Sequence, residues 1–143
     1  MYILKAEHSF DSAHFLSGYV GKCSNIHGHR WKVEVYVQSE TLLKGGQLDG
    51  MVIDFGDLKK DVKAMVDCYD HALIVQEGSM RFETLNCIKQ DGFNVIVVDF
   101  RPTAENFAGF FFKLMKDIGY NVKRTTVYET PTNSATYEES EAR

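Results

Sequence analysis

Residues 31–38 read Trp-Lys-Val-Glu-Val-Tyr-Val-Gln, and this alternation is the tightest constraint in the sequence. Successive side chains of an extended chain point to opposite faces. Trp31, Val33, Val35 and Val37 therefore share one face, and Lys32, Glu34, Tyr36 and Gln38 the other. A strand patterned this way is half buried and must belong to a sheet with one covered face. Extending the same parity backwards sets His27 and His29 in line with the apolar side chains, with Gly28 between them. Two imidazoles then sit at the mouth of a core, where water is scarce and a metal ion is well held. Gly28 adds no side chain on the opposite face and lets the backbone bend into the site.

The remaining elements follow from the same reading. The first fifteen residues predict a second strand. Gly45-Gly46 and Asp49-Gly50 mark a loop. Leu58, Val62, Met65, Val66 and Tyr69 recur at helical spacing, with Asp57 available as a cap. Asn94 to Phe100 is a short β-branched run and predicts a strand. Thr103 opens the clearest helix, in which Phe107, Phe110, Phe111, Leu114, Met115 and Ile118 form one apolar stripe. Gly119 stands where a C-terminal cap belongs. Lys123 to Glu129 predicts another strand, ended at Pro131, and Glu138-Glu139-Ser140-Glu141 reads as a frayed acidic tail. The order is strand, strand, helix, strand, helix, strand. It implies an α+β domain with an antiparallel sheet under two helices, a single domain over residues 1–143.

Charge and composition remove several classes of function. The net charge is -4 with scattered basic residues, which speaks against nucleic acid as a partner. No apolar run approaches the roughly 20 residues that span a bilayer. Met1-Tyr2-Ile3-Leu4-Lys5 lacks a signal-peptide layout, so a cytoplasmic location is the expectation. The 3 cysteines are irregularly spaced and do not form a disulfide framework. Cys68 falls in the first helix and Cys87 in a polar connection, both read as incidental.

His27 and His29 need a third ligand. His14 lies near the end of the first strand, and His8 shares its parity and competes with it. Three neutral imidazoles with an open fourth position are the pattern of a catalytic zinc. Cys23, four residues before His27, is either a fourth ligand that closes a structural site or a free thiol beside an open metal. In the second case a cationic neighbour favours the thiolate and makes it a proton acceptor. Asp70-His71 forms a further titratable pair, in which a carboxylate can support an imidazole.

Six segments occur together in order: Phe10-Asp11-Ser12-Ala13-His14, Cys23-x-x-x-His27-Gly28-His29, Asp54-Phe55, Asp70-His71, Pro102-Thr103-Ala104-Glu105-Asn106 and Val127-Tyr128-Glu129-Thr130. In this set the chain resembles the family of 6-pyruvoyl-tetrahydropterin and 6-carboxy-tetrahydropterin synthases. The resemblance implies a tunnelling fold: a four-stranded antiparallel sheet with two helices packed on one face. It also implies a homo-oligomer, a trimeric ring or two stacked rings forming a hexamer.

By the same resemblance zinc is held by His14, His27 and His29, and His8 has no role. Cys23 is a proton acceptor, and Asp70 and His71 join its relay from a neighbouring subunit. Glu105, with Thr103 ahead of it, binds the pterin. A carboxylate in the first turn of a helix is favoured by the macrodipole and can accept the paired N–H groups of a pterin edge. Glu129 belongs to the relay, with an exchange or sharing of the anchoring role between the two glutamates as the alternative left open.

The three-residue spacer between Cys23 and His27 is similar to that of the bacterial carboxy-forming enzymes of queuosine biosynthesis. The implied reaction converts 7,8-dihydroneopterin triphosphate to 6-carboxy-5,6,7,8-tetrahydropterin, releasing acetaldehyde and triphosphate. The alternative stops at 6-pyruvoyl-tetrahydropterin, and one of another class is a non-catalytic pterin- or zinc-binding module. The segment Gln76 to Phe93 matches no motif of the family and has room to reshape the substrate entrance or a subunit contact.

Overall fold

In the computed structural model, which describes residues 1–141, the alternating segment lies in the second strand of a six-stranded sheet. The elements are β1 (Tyr2–His14), β2 (His27–Ser39), α1 (Phe55–Asp67), β3 (Ala72–Gln76), α2 (Phe82–Gln90), β4 (Val95–Val98), α3 (Ala104–Asp117), β5 (Val122–Thr130) and β6 (Asn133–Tyr137). A 3-10 turn covers Lys22–Ser24. Ala142 and Arg143, the last positions of the expected domain, lie outside the described residues.

The strand order is β4-β3-β1-β2-β5-β6. β1, β2, β5 and β6 pair antiparallel, whereas β3 joins β1 in parallel and β4 joins β3 in parallel. The α+β class stands, but the four-stranded antiparallel sheet with two helices is corrected, among the described residues, to six mixed strands with three helices. The additions have weak sequence signatures. β3 is a continuous run, Ala-Leu-Ile-Val-Gln, which carries no period-2 alternation. α2 is nine residues long and buries none of its side chains, so its few apolar positions, Phe82, Leu85 and Ile88, make a weak signal, and Cys87 lies in this helix rather than in a connection. β6 is a polar edge strand with no buried residue.

The core lies between the sheet and helices α1 and α3. From α1 it takes Leu58, Val62 and Val66, and from α3 Phe107, Ala108, Phe111, Phe112 and Met115. The Phe10 ring stacks on Trp31 with centroids 5.8 Å apart, and Phe107 meets Trp31 edge-on at 5.2 Å. Each such aromatic pair contributes roughly 0.5–1.5 kcal/mol beyond the area it buries. Asp54, not Asp57, caps α1, accepting from the Gly56 N–H at 2.6 Å; Asp57 sits in the first turn. Gly119 takes the expected left-handed conformation after α3, φ +108°. The acidic end is tied down, because Tyr137 packs on Phe112 and Glu139 pairs with Lys116 at 2.8 Å.

The pairing of β1 with β2 positions the site. Its register sets His14 opposite His27, Ser12 opposite His29 and Phe10 opposite Trp31. The two strands are neighbours, as a third ligand from β1 requires.

Candidate metal centre

His14, His27 and His29 bring one ring nitrogen each to within 4.8 Å of one another, and no other His, Cys, Asp or Glu joins this group among the described residues. His14 is 1% exposed, and Trp31 forms the floor, with ring centroids 4.9 Å from His14 and 5.5 Å from His29. His8 is elsewhere, its Nε2 bonded to Asp67 at 2.8 Å. Cys23, half buried in the 3-10 turn, is outside the group.

Hydrogen bonds fix the tautomers. His14 Nδ1 lies 2.7 Å from the Pro102 carbonyl and His27 Nδ1 lies 2.7 Å from the Asn25 carbonyl. A carbonyl only accepts, so both Nδ1 atoms carry the proton and both Nε2 atoms of the neutral rings carry lone pairs. Those two Nε2 atoms face each other at 3.1 Å. Two lone pairs cannot hydrogen-bond, so this approach needs a shared proton or a metal ion between or beside them. His29 Nε2 is also buried without a hydrogen-bond partner, with the Glu129 carboxylate 3.6 Å away. Nitrogens at about 2.0–2.1 Å from a tetrahedral zinc lie about 3.3 Å apart, close to the separation seen. The residues therefore fit a metal ion.

Burial pushes the His14 pKa down to about 4, and the same cause lowers that of His29. Both rings stay neutral and ready to ligate through the physiological range. In metal-free protein this has a sign. Between pH 6.5 and about 4 the unfolded chain protonates His14 while the folded chain does not. Stability is then full above pH 6.5 and falls as the pH drops towards 4, by up to about 3 kcal/mol. Melting temperatures in chelator across this window check it; a flat profile would contradict the buried neutral imidazole.

Asp70 and His71 do contact each other, although adjacent side chains do not ordinarily meet. Asp70 Oδ2 lies 2.8 Å from His71 Nδ1, and Asp70 Oδ1 accepts the Asp11 N–H at 2.8 Å. The Asp11 hydrogen bond, followed by that to His71, holds the Asp70 carboxyl below its usual range, while Asp70 raises His71. His71 adopts a left-handed backbone, φ +52°, uncommon for a residue with a side chain. The bond from its N–H to the Asp11 carbonyl pins it there. Asp11 appeared in the sequence only as part of a motif; its clamping role is made by backbone atoms, which leave no side-chain signal.

Two clefts flank His29. One, of about 480 Å³, is lined by Ser9, Gly28, His29, Arg30, Lys32 and the β5 end, Tyr128 to Pro131, including Glu129. The other, of about 700 Å³, joins His29 to Asp11, His71, Leu73, Ile88, Phe93 and Asn94. The segment Gln76 to Phe93 thus does reach the site: Ile88 and Phe93 form part of one wall. Glu105 is exposed in the first turn of α3 and lines a separate cleft with Asp99, Lys113 and Tyr137. Thr103 caps α3, its side chain accepting from the Asn106 N–H at 3.2 Å. One chain therefore gathers the three histidines with Glu129 and His71, and does not bring Glu105 to them.

No helix among the described residues is long and apolar enough to cross a membrane. The family model for 6-pyruvoyl tetrahydropterin synthase matches residues 3–140. A 6-carboxy-5,6,7,8-tetrahydropterin synthase from Haemophilus influenzae is 39% identical over 142 residues, covering 97% of this chain and 100% of that protein. The Synechocystis protein of the same name is 32% identical over 139 residues, covering 96% and 93%. Among solved structures, an uncharacterized protein from Wolinella succinogenes shares the fold with a TM-score of 0.80 at 22% identity, over 97% of this chain and 98% of that one. The 6-pyruvoyl tetrahydropterin synthase of Caenorhabditis elegans aligns with a TM-score of 0.66 at 28% identity, over 98% of both chains. The chain belongs to the 6-pyruvoyl tetrahydropterin synthase family.

Proposed function

We propose that this protein is a zinc-dependent 6-carboxy-5,6,7,8-tetrahydropterin synthase, converting 7,8-dihydroneopterin triphosphate with release of acetaldehyde and triphosphate. The observation that carries the reading is the convergence of His14, His27 and His29 ring nitrogens with no fourth protein ligand among the described residues. Relatives named for this activity at 32–39% identity support the choice of product. A zinc ion on the three histidines would supply a Lewis acid for the oxygens of the substrate side chain.

The protein groups would do the rest. Cys23 takes a proton from the side-chain carbon next to the pterin. The Asp70-His71 pair, already hydrogen-bonded, exchanges the others, with Asp70 orienting the ring. Trp31 keeps water from the inner side of the histidines. Glu129 rather than Glu105 is assigned to the pterin edge, because it lines the cleft that contains His29. Thr103 then acts first as the cap of α3 and only through a neighbouring subunit as a substrate contact, as does Glu105. A single domain over 1–143, working in the cytoplasm as a trimer or hexamer, completes the proposal; sedimentation at monomer mass would remove the oligomer.

Glu129→Gln is expected to weaken pterin binding about tenfold to a hundredfold at unchanged zinc content. Glutamine puts one N–H against another, and an unmet buried group costs roughly 1–3 kcal/mol. Glu105→Gln should shift affinity less; the reverse order in a pterin titration would return the anchor to Glu105.

The reaction itself is tested by mass spectrometry after incubating zinc-loaded protein with 7,8-dihydroneopterin triphosphate. The 6-carboxy product with acetaldehyde is expected. Accumulation of 6-pyruvoyl-tetrahydropterin would favour the alternative, and unchanged substrate with tight pterin binding a non-catalytic module.

A further inference from the structure

Arg101 lies between β4 and α3, far in sequence from Cys23, yet the two are joined by an unbroken series of contacts. An Arg101 guanidinium N–H donates to the Ser17 carbonyl at 3.1 Å. The guanidinium carbon lies 5.8 Å from the centre of the Tyr19 ring, within the range of cation–ring attraction. The Tyr19 ring lies against Gly21, where a Cβ would come within 2.8 Å of it and where φ of +151° favours glycine. Gly21 leads into the 3-10 turn that holds Cys23. Its carbonyl accepts both the Ser24 N–H at 3.2 Å and the Ser24 hydroxyl at 2.8 Å. The Cys23 carbonyl in turn accepts the Leu16 N–H at 2.9 Å, closing the loop on itself.

The next residue serves the metal centre. Pro102 gives its carbonyl to His14 Nδ1. Residues 101 and 102 thus hold, side by side, the loop that presents the thiol and a ligand of the candidate metal site. The guanidinium is not there for surface charge alone: Arg101 Nε is buried without a partner, and an arginine free to turn would expose that donor to water. Its other contacts keep it in place.

We propose that Arg101 is a positioning residue, which anchors the Ser17–Gly21 arm of the β1–β2 loop and thereby sets the Cys23 thiol relative to the metal centre. This rests on reading Cys23 as the proton acceptor, and the test separates the two claims. Zinc-loaded wild type, Arg101→Met and Arg101→Lys are treated with iodoacetamide and the three cysteines followed by peptide mass spectrometry. Cys68 and Cys87 are exposed and serve as internal references.

In Arg101→Met the Cys23 alkylation rate, relative to those references, should shift about threefold to tenfold, the scale of one lost hydrogen bond, upwards where the freed loop exposes the half-buried thiol and downwards where the thiol loses the cation that favours its thiolate. Turnover number should fall about tenfold to a hundredfold, as for a displaced reacting group, with KM and zinc content unchanged. Arg101→Lys, which can still reach the Ser17 carbonyl, should recover part of both effects and carries the test if Arg101→Met does not fold. An unchanged Cys23 rate overturns the proposal. Loss of zinc also overturns it, since Arg101 would then act through His14. If Cys23→Ala keeps full turnover, the proton-acceptor reading fails, while the alkylation rates still report whether Arg101 holds the loop.

Discussion

Cys23→Ala is expected to keep about one zinc per chain and to lower turnover by about 10²–10⁴-fold, the range spanned by single acid–base groups. The expectation rests on position. Cys23 is half buried in a turn tethered just beyond the end of β1 through the Leu16 N–H, but it is outside the group of converging ring nitrogens. On the proposed reading, removing it subtracts a proton acceptor and no ligand. Metal analysis and steady-state kinetics on the same preparation distinguish the outcomes. A variant that loses its zinc would make Cys23 a ligand and the site a closed, structural one. A variant that keeps both zinc and turnover would remove Cys23 from the chemistry.

His14→Ala has the larger effect on the metal itself. Changes in the shell around a ligand cost roughly 10–100-fold in affinity, and loss of the ligand should exceed that, abolishing measurable activity. It also leaves the Pro102 carbonyl buried without the ring that donates to it, so some stability is lost as well. His8→Ala is the matched control. His8 and His14 share a face of β1, but His8 bonds to Asp67 at the end of α1. Zinc content should be unchanged in His8→Ala and lost in His14→Ala. The opposite pattern would place the metal at the other end of the strand.

How far the sequence anticipated this site depends on which atoms carry the information. His27 and His29 were legible because a strand has a period of two and Trp31, Val33, Val35 and Val37 anchor the parity. His14 was not separable from His8 by parity; the β1–β2 register, which sets His14 opposite His27, separates them. The Pro102 and Asn25 carbonyls that fix the tautomers are backbone groups available to any residue, so nothing in the sequence marks them. The contact between Asp70 and His71 depends on the left-handed backbone at His71, which Asp11 holds from a neighbouring strand.

The fold divides in the same way. β2, α1 and α3 have clear periods and were located from them. β3 is a short continuous apolar run, α2 a nine-residue helix with three apolar positions and none buried, and β6 a polar edge, and each leaves a weaker pattern than β2, α1 or α3. The consequence for function is concrete. The segment with no recognisable motif supplies Ile88 and Phe93 to the wall of the cleft that His29 and His71 share.

X-ray absorption at the zinc edge of the purified, zinc-loaded protein tests the open three-histidine centre most directly. Three imidazole nitrogens and one water or hydroxide oxygen at about 2.0–2.1 Å, with no sulfur, are the expected shell. A sulfur at about 2.3 Å would show Cys23 closing the site and would contradict the account.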